Sequence, residues 1–329
     1  MNRKRVVSFG EILLRLTPVQ RGRLTEAQNF DACYGGSEAN VMIALSSMGE
    51  DTSYVTVLPD NSIGKAAERN LHRYSVCTDH VLFKGDILGS YFFEQGFGQL
   101  GAQVIYNRRF SEIARVDGYE DRFDFDRIFE DCDLFHISGI TFALSDACCK
   151  LCFTFVEEAK KRHIPVSFDF NYRGKLWSIE KAASVYQKII PQVDILFCAP
   201  KDLETFLGIT EDTFYDTYDC EYLVVRERKL LSQSRHQGSA RIYHHTPQNV
   251  ARTADCTKEF EVLDRVGSGD AFAAGVLHAL LQEPDDIDTA VEFGMAAFVL
   301  KHYVAGDILT MTEAQVQNDM HNGNKDVNR

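Results

Sequence analysis

Short apolar runs recur along the chain, separated by stretches with helical spacing. Residues 6–9 read as a buried strand, and a second run at 12–16 begins once Gly10 and Glu11 have interrupted the first. Beyond them, residues 37–48 read as a helix, 54–58 as extended, 63–74 as a helix and 81–83 as extended. The same alternation resumes after Arg115 and is predicted to continue to the end. Apolar runs at 134–138, 166–170, 195–198 and 222–225 alternate with helical patterns at 145–162, 179–190 and 202–207, and a last apolar helix spans 293–302. Strands this short and this uniformly apolar imply a mostly parallel sheet covered by helices on both faces.

Two excursions break the rhythm. Residues 12–31 hold a strand and a turn, and residues 88–111 hold two strands, 91–94 and 104–106, around a glycine-rich loop at 96–101. Pairing of the two excursions predicts a small antiparallel β lid. The remainder, 1–11, 32–87 and 112–329, forms the main α/β domain, a three-layer α/β/α arrangement. Ligands in such sheets bind beyond the carboxyl ends of the strands.

The stretch best suited to chemistry is Asp264-Arg-Val-Gly-Ser-Gly-Asp-Ala-Phe-Ala-Ala-Gly275, directly after an apolar run. Gly267 and Gly269 free the backbone, and the small residues that follow open a helix whose first N–H groups lack partners. Such a turn attracts anions, phosphate above all. Asp270 is out of place in an anion hole. It either caps the helix or takes a proton from a hydroxyl while its neighbours hold a phosphoryl group.

Other candidates fall at the same end of the sheet. Asn171, Tyr172 and Arg173 leave the strand 166–170, where the planar fork of Arg173 suits a carboxylate or phosphate. Tyr106 and Arg108 alternate on a lid strand and so share one face. Gly35-Gly36 opens the helix 37–48, either as a plain turn or as a place where hydroxyls approach the backbone. The charged run 226–234 follows a buried strand and reads as a solvated loop near a nucleotide. Asp307 is a turn residue or a ligand to a hydroxyl, and Trp177 is a packing residue.

Composition narrows the field. The chain has 329 residues, 45% hydrophobic and 25% charged, and a net charge of −13, which argues against nonspecific nucleic-acid or anionic-membrane binding. An anionic substrate then needs locally placed cations. Nine cysteines without a secretion signal fit a reducing cytoplasm, and Cys148, Cys149 and Cys152 suit helix packing better than a metal site. No apolar stretch reaches membrane-spanning length. Disorder is expected only at the polar end, 318–329.

Gly35-Gly36 with Asn40, the lid strands and Gly267-Ser-Gly-Asp270, in that order, resemble the ribokinase-like (PfkB) carbohydrate kinases over most of the chain. Asp169-Phe-Asn-Tyr-Arg-Gly-Lys-Leu-Trp177, Asp264-Arg-Val-Gly267 and Lys301-His-Tyr-Val-Ala-Gly-Asp307 look most like the 2-keto-3-deoxygluconate kinases among them. The resemblance implies a ribokinase-like fold and transfer of phosphate from ATP to the 6-hydroxyl of 2-keto-3-deoxygluconate. Asp270 would be the base, and the N–H groups of Gly267, Ser268, Gly269 and Asp270 the anion hole. Gly35, Gly36, Tyr91, Tyr106, Arg108, Arg173 and Asp307 would hold the sugar acid, while Asn171, Arg226, Gly267 and Gly269 would hold the nucleotide. Asp202 would serve Mg²⁺, although Ala199-Pro-Lys-Asp202 stands where many relatives have Asn-x-x-Glu, and the resemblance leaves room for a monovalent cation.

The exposed lid edge, with Tyr91, Phe92 and Phe93, suggests a homodimer. Alternatives are a kinase for fructose, ribose, another deoxy-keto acid or a nucleoside, and a sugar-binding regulator without catalysis. A nicotinamide dehydrogenase lacks support, because no Gly-x-Gly-x-x-Gly turn follows the first strand.

Overall fold

The computed structural model describes residues 3–96, 100–232, 234–246 and 249–322. The chain starts with β1 (Arg5–Phe9), leaves the body through β2 (Leu13–Pro18) and β3 (Phe30–Gly35), and returns through the helix Ser37–Met48 to β4 (Asp51–Val55). Two short strands, β5 (Val57–Leu58) and β6 (Leu82–Phe83), pair in parallel. A second excursion follows as β7 (Ser90–Glu94) and β8 (Gln103–Asn107). Residues 97–99 of the loop expected between them lie outside the described residues. The body then continues with β9 (Leu134–Ser138), β10 (Val166–Asp169), β11 (Ile195–Cys198), β12 (Tyr222–Leu230), β13 (Arg235–Thr246) and β14 (Asn249–Glu261).

The large sheet has the order β14-β13-β12-β11-β10-β9-β1-β4. From β4 to β12 every neighbouring pair is parallel, as the apolar runs require. Side chains alternate between its faces. Along β12, Tyr222 and Val224 join the core under the helices Ser37–Met48, Ser268–Gln282 and Ile287–His302, whereas Leu223 and Val225 join the core under Asp146–Lys161 and Ile179–Ile189. Phe9 and Phe155, both fully buried, stack with ring centroids 4.4 Å apart in the second core. Burying such a ring contributes roughly 1.5–3 kcal/mol. Helix starts follow the expected chemistry, since Ser145 and Ser178 accept from the third residue beyond them. Trp177 packs in the second core, as expected.

Three expectations are corrected. The parallel alternation does not run to the end, because β12, β13 and β14 form two antiparallel hairpins. Accordingly, the charged run 226–234 is not a loop over its first half. β12 extends through Leu230, with Glu227 and Lys229 exposed and Arg226 and Arg228 half-buried. Charge at every position hid a period of two that burial of arginine stems satisfies. At the other end, the helix Glu313–Asn322 replaces the first part of the expected disorder, anchored by fully buried Val316, while 323–329 lie outside the described residues.

The two excursions meet in a separate small sheet of order β3-β2-β7-β8. Each excursion is an antiparallel hairpin, and a parallel β2–β7 pair, with Leu14 opposite Ser90, joins them. Tyr91 and Phe93 point inward with Leu13 and are buried, so of the three aromatics expected at a dimer contact only Phe92 is on the outer face. No helix among the described residues is long and apolar enough to cross a membrane.

Candidate active site

The turn after β14 is built by Asp264, whose Oδ1 accepts the Val266 N–H at 3.1 Å and whose Oδ2 accepts the Gly306 N–H at 3.1 Å. Gly267 then takes a left-handed φ of 78° and caps the helix Ser268–Gln282. A Cβ at Gly267 would lie 1.7 Å from the Asp307 carbonyl oxygen, so no other residue fits. Ala271 makes the first helical bond, donating to the Gly267 carbonyl at 2.9 Å. Ser268 is committed locally, its hydroxyl donating to the Arg265 carbonyl at 2.9 Å and its N–H to the same atom at 3.3 Å. The expected anion hole therefore narrows to Gly267, Gly269 and Asp270, whose N–H groups have no acceptor among the described residues.

Asp270 is held by both oxygens. Its Oδ1 accepts from the Ser37 hydroxyl at 2.9 Å and its Oδ2 from the Asn40 amide at 2.7 Å, while Asn171 donates to the Ser37 oxygen at 2.6 Å. Ser37 and Asn40 share the first turn of one helix, and Gly36 precedes it with no room for a side chain, since a Cβ would stand 1.9 Å from the Glu11 carbonyl oxygen. Burial raises the Asp270 pKa, and the Asn40 and Ser37 donors offset part of that rise. Nearby Asp169 is pushed up to about 7, by burial and then by the Asp270 charge. Of these two carboxylates, Asp270 is the one with two side-chain donors that favour its ionised form.

Cations and further polar groups line the same cavity of about 560 Å³ at the carboxyl ends of the strands, beneath the small sheet. Arg108 is buried and forms an ion pair with Glu11, which also accepts from the Ser111 hydroxyl at 2.6 Å. The Arg108 guanidinium stands 5.4 Å from the Tyr106 ring. Arg173 is exposed and, among the described residues, hydrogen-bonds only to the carbonyls of Asn171 and Tyr172, at 3.2 and 3.0 Å. Arg226 lies over the Phe298 ring at 4.7 Å, and burial lowers its pKa. Asp202 spends one oxygen on the Ala199 N–H at 2.9 Å, and burial raises its pKa.

The small sheet is fastened to the body by a buried cluster. Arg15 of β2 pairs with Asp307 and, at 2.8 Å, with Asp264, and the Tyr91 hydroxyl donates to the other oxygen of Asp307. Each carboxylate oxygen of Asp307 thus accepts one donor that ties the small sheet to the body, while Asp307 and Tyr91 also line the cavity.

A family model described as pfkB family carbohydrate kinase matches residues 3–310. The chain belongs to the pfkB family of carbohydrate kinases. It is therefore a phosphotransferase acting on an alcohol group, with the ribokinase-like fold. It is 30% identical over 332 residues to a 2-dehydro-3-deoxygalactonokinase from Haloferax volcanii, covering 98% of this chain and 99% of that one. The solved 2-dehydro-3-deoxygluconokinase from Thermotoga maritima superimposes with a TM-score of 0.89 at 31% identity, covering 97% of this chain and 99% of its own. A pfkB family carbohydrate kinase from Listeria grayi gives a TM-score of 0.89 at 34% identity, with 96% and 99% covered.

In this pfkB kinase every sequence-derived site residue lines the one cavity: Gly35, Gly36, Tyr91, Tyr106, Arg108, Asn171, Arg173, Asp202, Arg226, Gly267, Ser268, Gly269, Asp270 and Asp307. Sequence reasoning missed Ser37 and Glu11 altogether, and gave Asn40 no role. Serine and asparagine three apart at the start of a helix are a usable signal, because both reach the same side of the first turn. The donors to Asp270 carry a prediction. With Asp270 as the base, a role the sequence expects, the ionised carboxylate is the competent form and kcat/KM falls as pH drops through its pKa. Asn40→Ala removes a donor that favours ionisation, so the acid limb of kcat/KM moves to higher pH than in the wild type, and an unmoved limb would detach Asn40 from the base.

Proposed function

We propose that this kinase transfers the terminal phosphoryl group of ATP to the 6-hydroxyl of 2-keto-3-deoxygluconate. The supporting observation is the placing of one doubly hydrogen-bonded carboxylate, Asp270, among the first-turn N–H groups of a helix, in a cavity shared with Arg173 and Arg108. Asp270 accepts the hydroxyl proton, the new oxygen–phosphorus bond forms, and the bond to the leaving diphosphate breaks as ADP departs. The N–H groups of Gly269 and Asp270 stabilise charge on the transferring group. Arg173 binds the sugar acid's carboxylate as the exposed, unpaired cation of the pair. Arg108, neutralised by Glu11, contributes shape and hydrogen bonding more than charge. The small sheet serves as the lid over the sugar acid, and its outer face, with Phe92 and exposed Ile105, contacts a second copy. A monomer in sedimentation at micromolar concentration would remove that contact.

The residues fit a Mg²⁺ ion carried mainly by phosphates. Among the described residues no three ligating side chains converge, and Mg²⁺ commonly uses only one or two carboxylates beside substrate phosphates. Asp202, with one oxygen left, is the residue that would hold it, and the ion would neutralise phosphate charge.

The test is an ADP-release screen over 2-keto-3-deoxygluconate, its galactonate epimer, fructose and ribose. Phosphorylation of the keto-deoxy acids well above the neutral sugars is expected, and equal efficiencies would sink the sugar-acid reading. Arg173→Ala is expected to cut kcat/KM for the acid by about 10–100-fold and for a neutral sugar much less, since losing one charge-assisted pair costs about 1.5–3 kcal/mol. A uniform loss for both would assign Arg173 to structural support.

A further inference from the structure

Three guanidiniums meet at one end of the cavity without a carboxylate partner. Arg226 and Arg228 are alternate residues of β12 and so point to one face, and Arg265 lies in the turn before Gly267. None of the three forms an ion pair among the described residues, and the cross-strand neighbours on β13 are Ala240 opposite Arg226 and Gly238 opposite Arg228. Arg226 reaches the anion turn itself, for a Cβ on Gly269 would stand 3.2 Å from one of its terminal nitrogens. Burial lowers the Arg228 pKa, and the charges of Arg265 and Arg226 lower it further, so the group repels itself. In a chain of net charge −13, carboxylates to relieve that repulsion are abundant. Among the described residues none pairs with Arg228 or Arg265, and Asp264, next to Arg265 in the chain, is spent on Arg15, Val266 and Gly306.

We infer that Arg228 and Arg265 bind the phosphate chain of the nucleotide, on the far side of Arg226 from Asp270, and that the phosphoryl donor is recognised chiefly through that chain. The inference rests on the kinase reading above and deepens it. Arg226, within the field of Asp169, Asp270 and Asp202, sits at the transferring end. Arg228 and Arg265, without an ion pair among the described residues, take the inner phosphates. A polyanion satisfies all three cations at once, whereas a single phosphate satisfies one. Affinity therefore climbs steeply with the number of phosphates and falls with added salt.

The experiment uses the full chain without any sugar acid. Binding of ATP, ADP, inorganic tripolyphosphate and orthophosphate is measured by calorimetry in the wild type, Arg228→Gln, Arg265→Gln and the double variant. In the wild type, tripolyphosphate is expected to bind far more tightly than orthophosphate and to displace ATP. Each single substitution weakens ATP and tripolyphosphate about tenfold, and the double about a hundredfold. Tripolyphosphate that fails to displace ATP, or a double variant that binds both as the wild type does, overturns the inference. The exposed Arg265 side chain supports no core, so its single variant keeps the test valid should Arg228→Gln disturb folding. Wild-type protein that binds tripolyphosphate as expected but phosphorylates no keto-deoxy acid would sink the substrate reading and leave this one standing.

Discussion

Asp270→Asn is expected to lower kcat by about three orders of magnitude, within the range that a positioned general base contributes. The substitution keeps the size of the side chain and removes only its capacity to take a proton. Ser37 and Asn40 now donate to the two carboxylate oxygens. An amide presents one oxygen and one NH₂, so the group facing the NH₂ must turn, which the Asn40 side chain can do without moving its helix. Nucleotide affinity should stay within a few-fold, because the proposed phosphate contacts are N–H groups and arginines, which the substitution leaves in place. Stopped-flow turnover with calorimetric binding of ATP on the same protein separates the two effects. Retained turnover would remove Asp270 from the base role, and a matching collapse of ATP binding would make it a structural residue.

Arg15→Ala is expected to destabilise the protein by about 3–5 kcal/mol, the usual cost of stripping one partner from a buried ion pair. Arg15, Asp264 and Asp307 are all under 5% exposed. Burial alone would lower the Arg15 pKa, but Asp307 and Asp264 outweigh it and hold the guanidinium charged. Lys301, fully buried, donates to the Val304 carbonyl at 3.0 Å and lies in the field of the same two acids. Two cations thus balance two anions, and the variant leaves one negative charge uncompensated. A fall of roughly 5–10 °C in melting temperature is expected, with a raised KM for the sugar acid because β2 loses its attachment. Arg15→Lys should recover part of both, since it restores charge but reaches only one acid well. An unchanged melting temperature would remove Arg15 from that attachment.

The legible parts of the fold were those encoded locally. The short apolar strands β1, β4, β9, β10 and β11 of the large sheet, the serine-capped helices and the glycine turn each carry their signal within a dozen residues. The antiparallel hairpins β12–β14 escaped because Arg226 to Leu230 carries charge on both faces, and an alternating pattern needs one apolar face to be seen. At the site, the glycines, Asp270 and Arg173 could be read from residue type and position on the strand ends. Arg15 could not, because its partners lie 249 and 292 residues away in the chain. Neither could the pairing of Arg108 with Glu11, which converts an apparent clamp into a neutralised pair.

That long reach governs how the protein matures during synthesis. Asp270 meets Ser37 and Asn40 from opposite ends of the chain, 233 and 230 residues apart. A ribosome releasing the first two hundred residues would expose a near-complete parallel half-sheet that has neither Asp270 nor the glycine turn before it. Products of translation interrupted before Gly267 lack Asp270 and its turn altogether, so they are expected to be inert and unable to drain ATP.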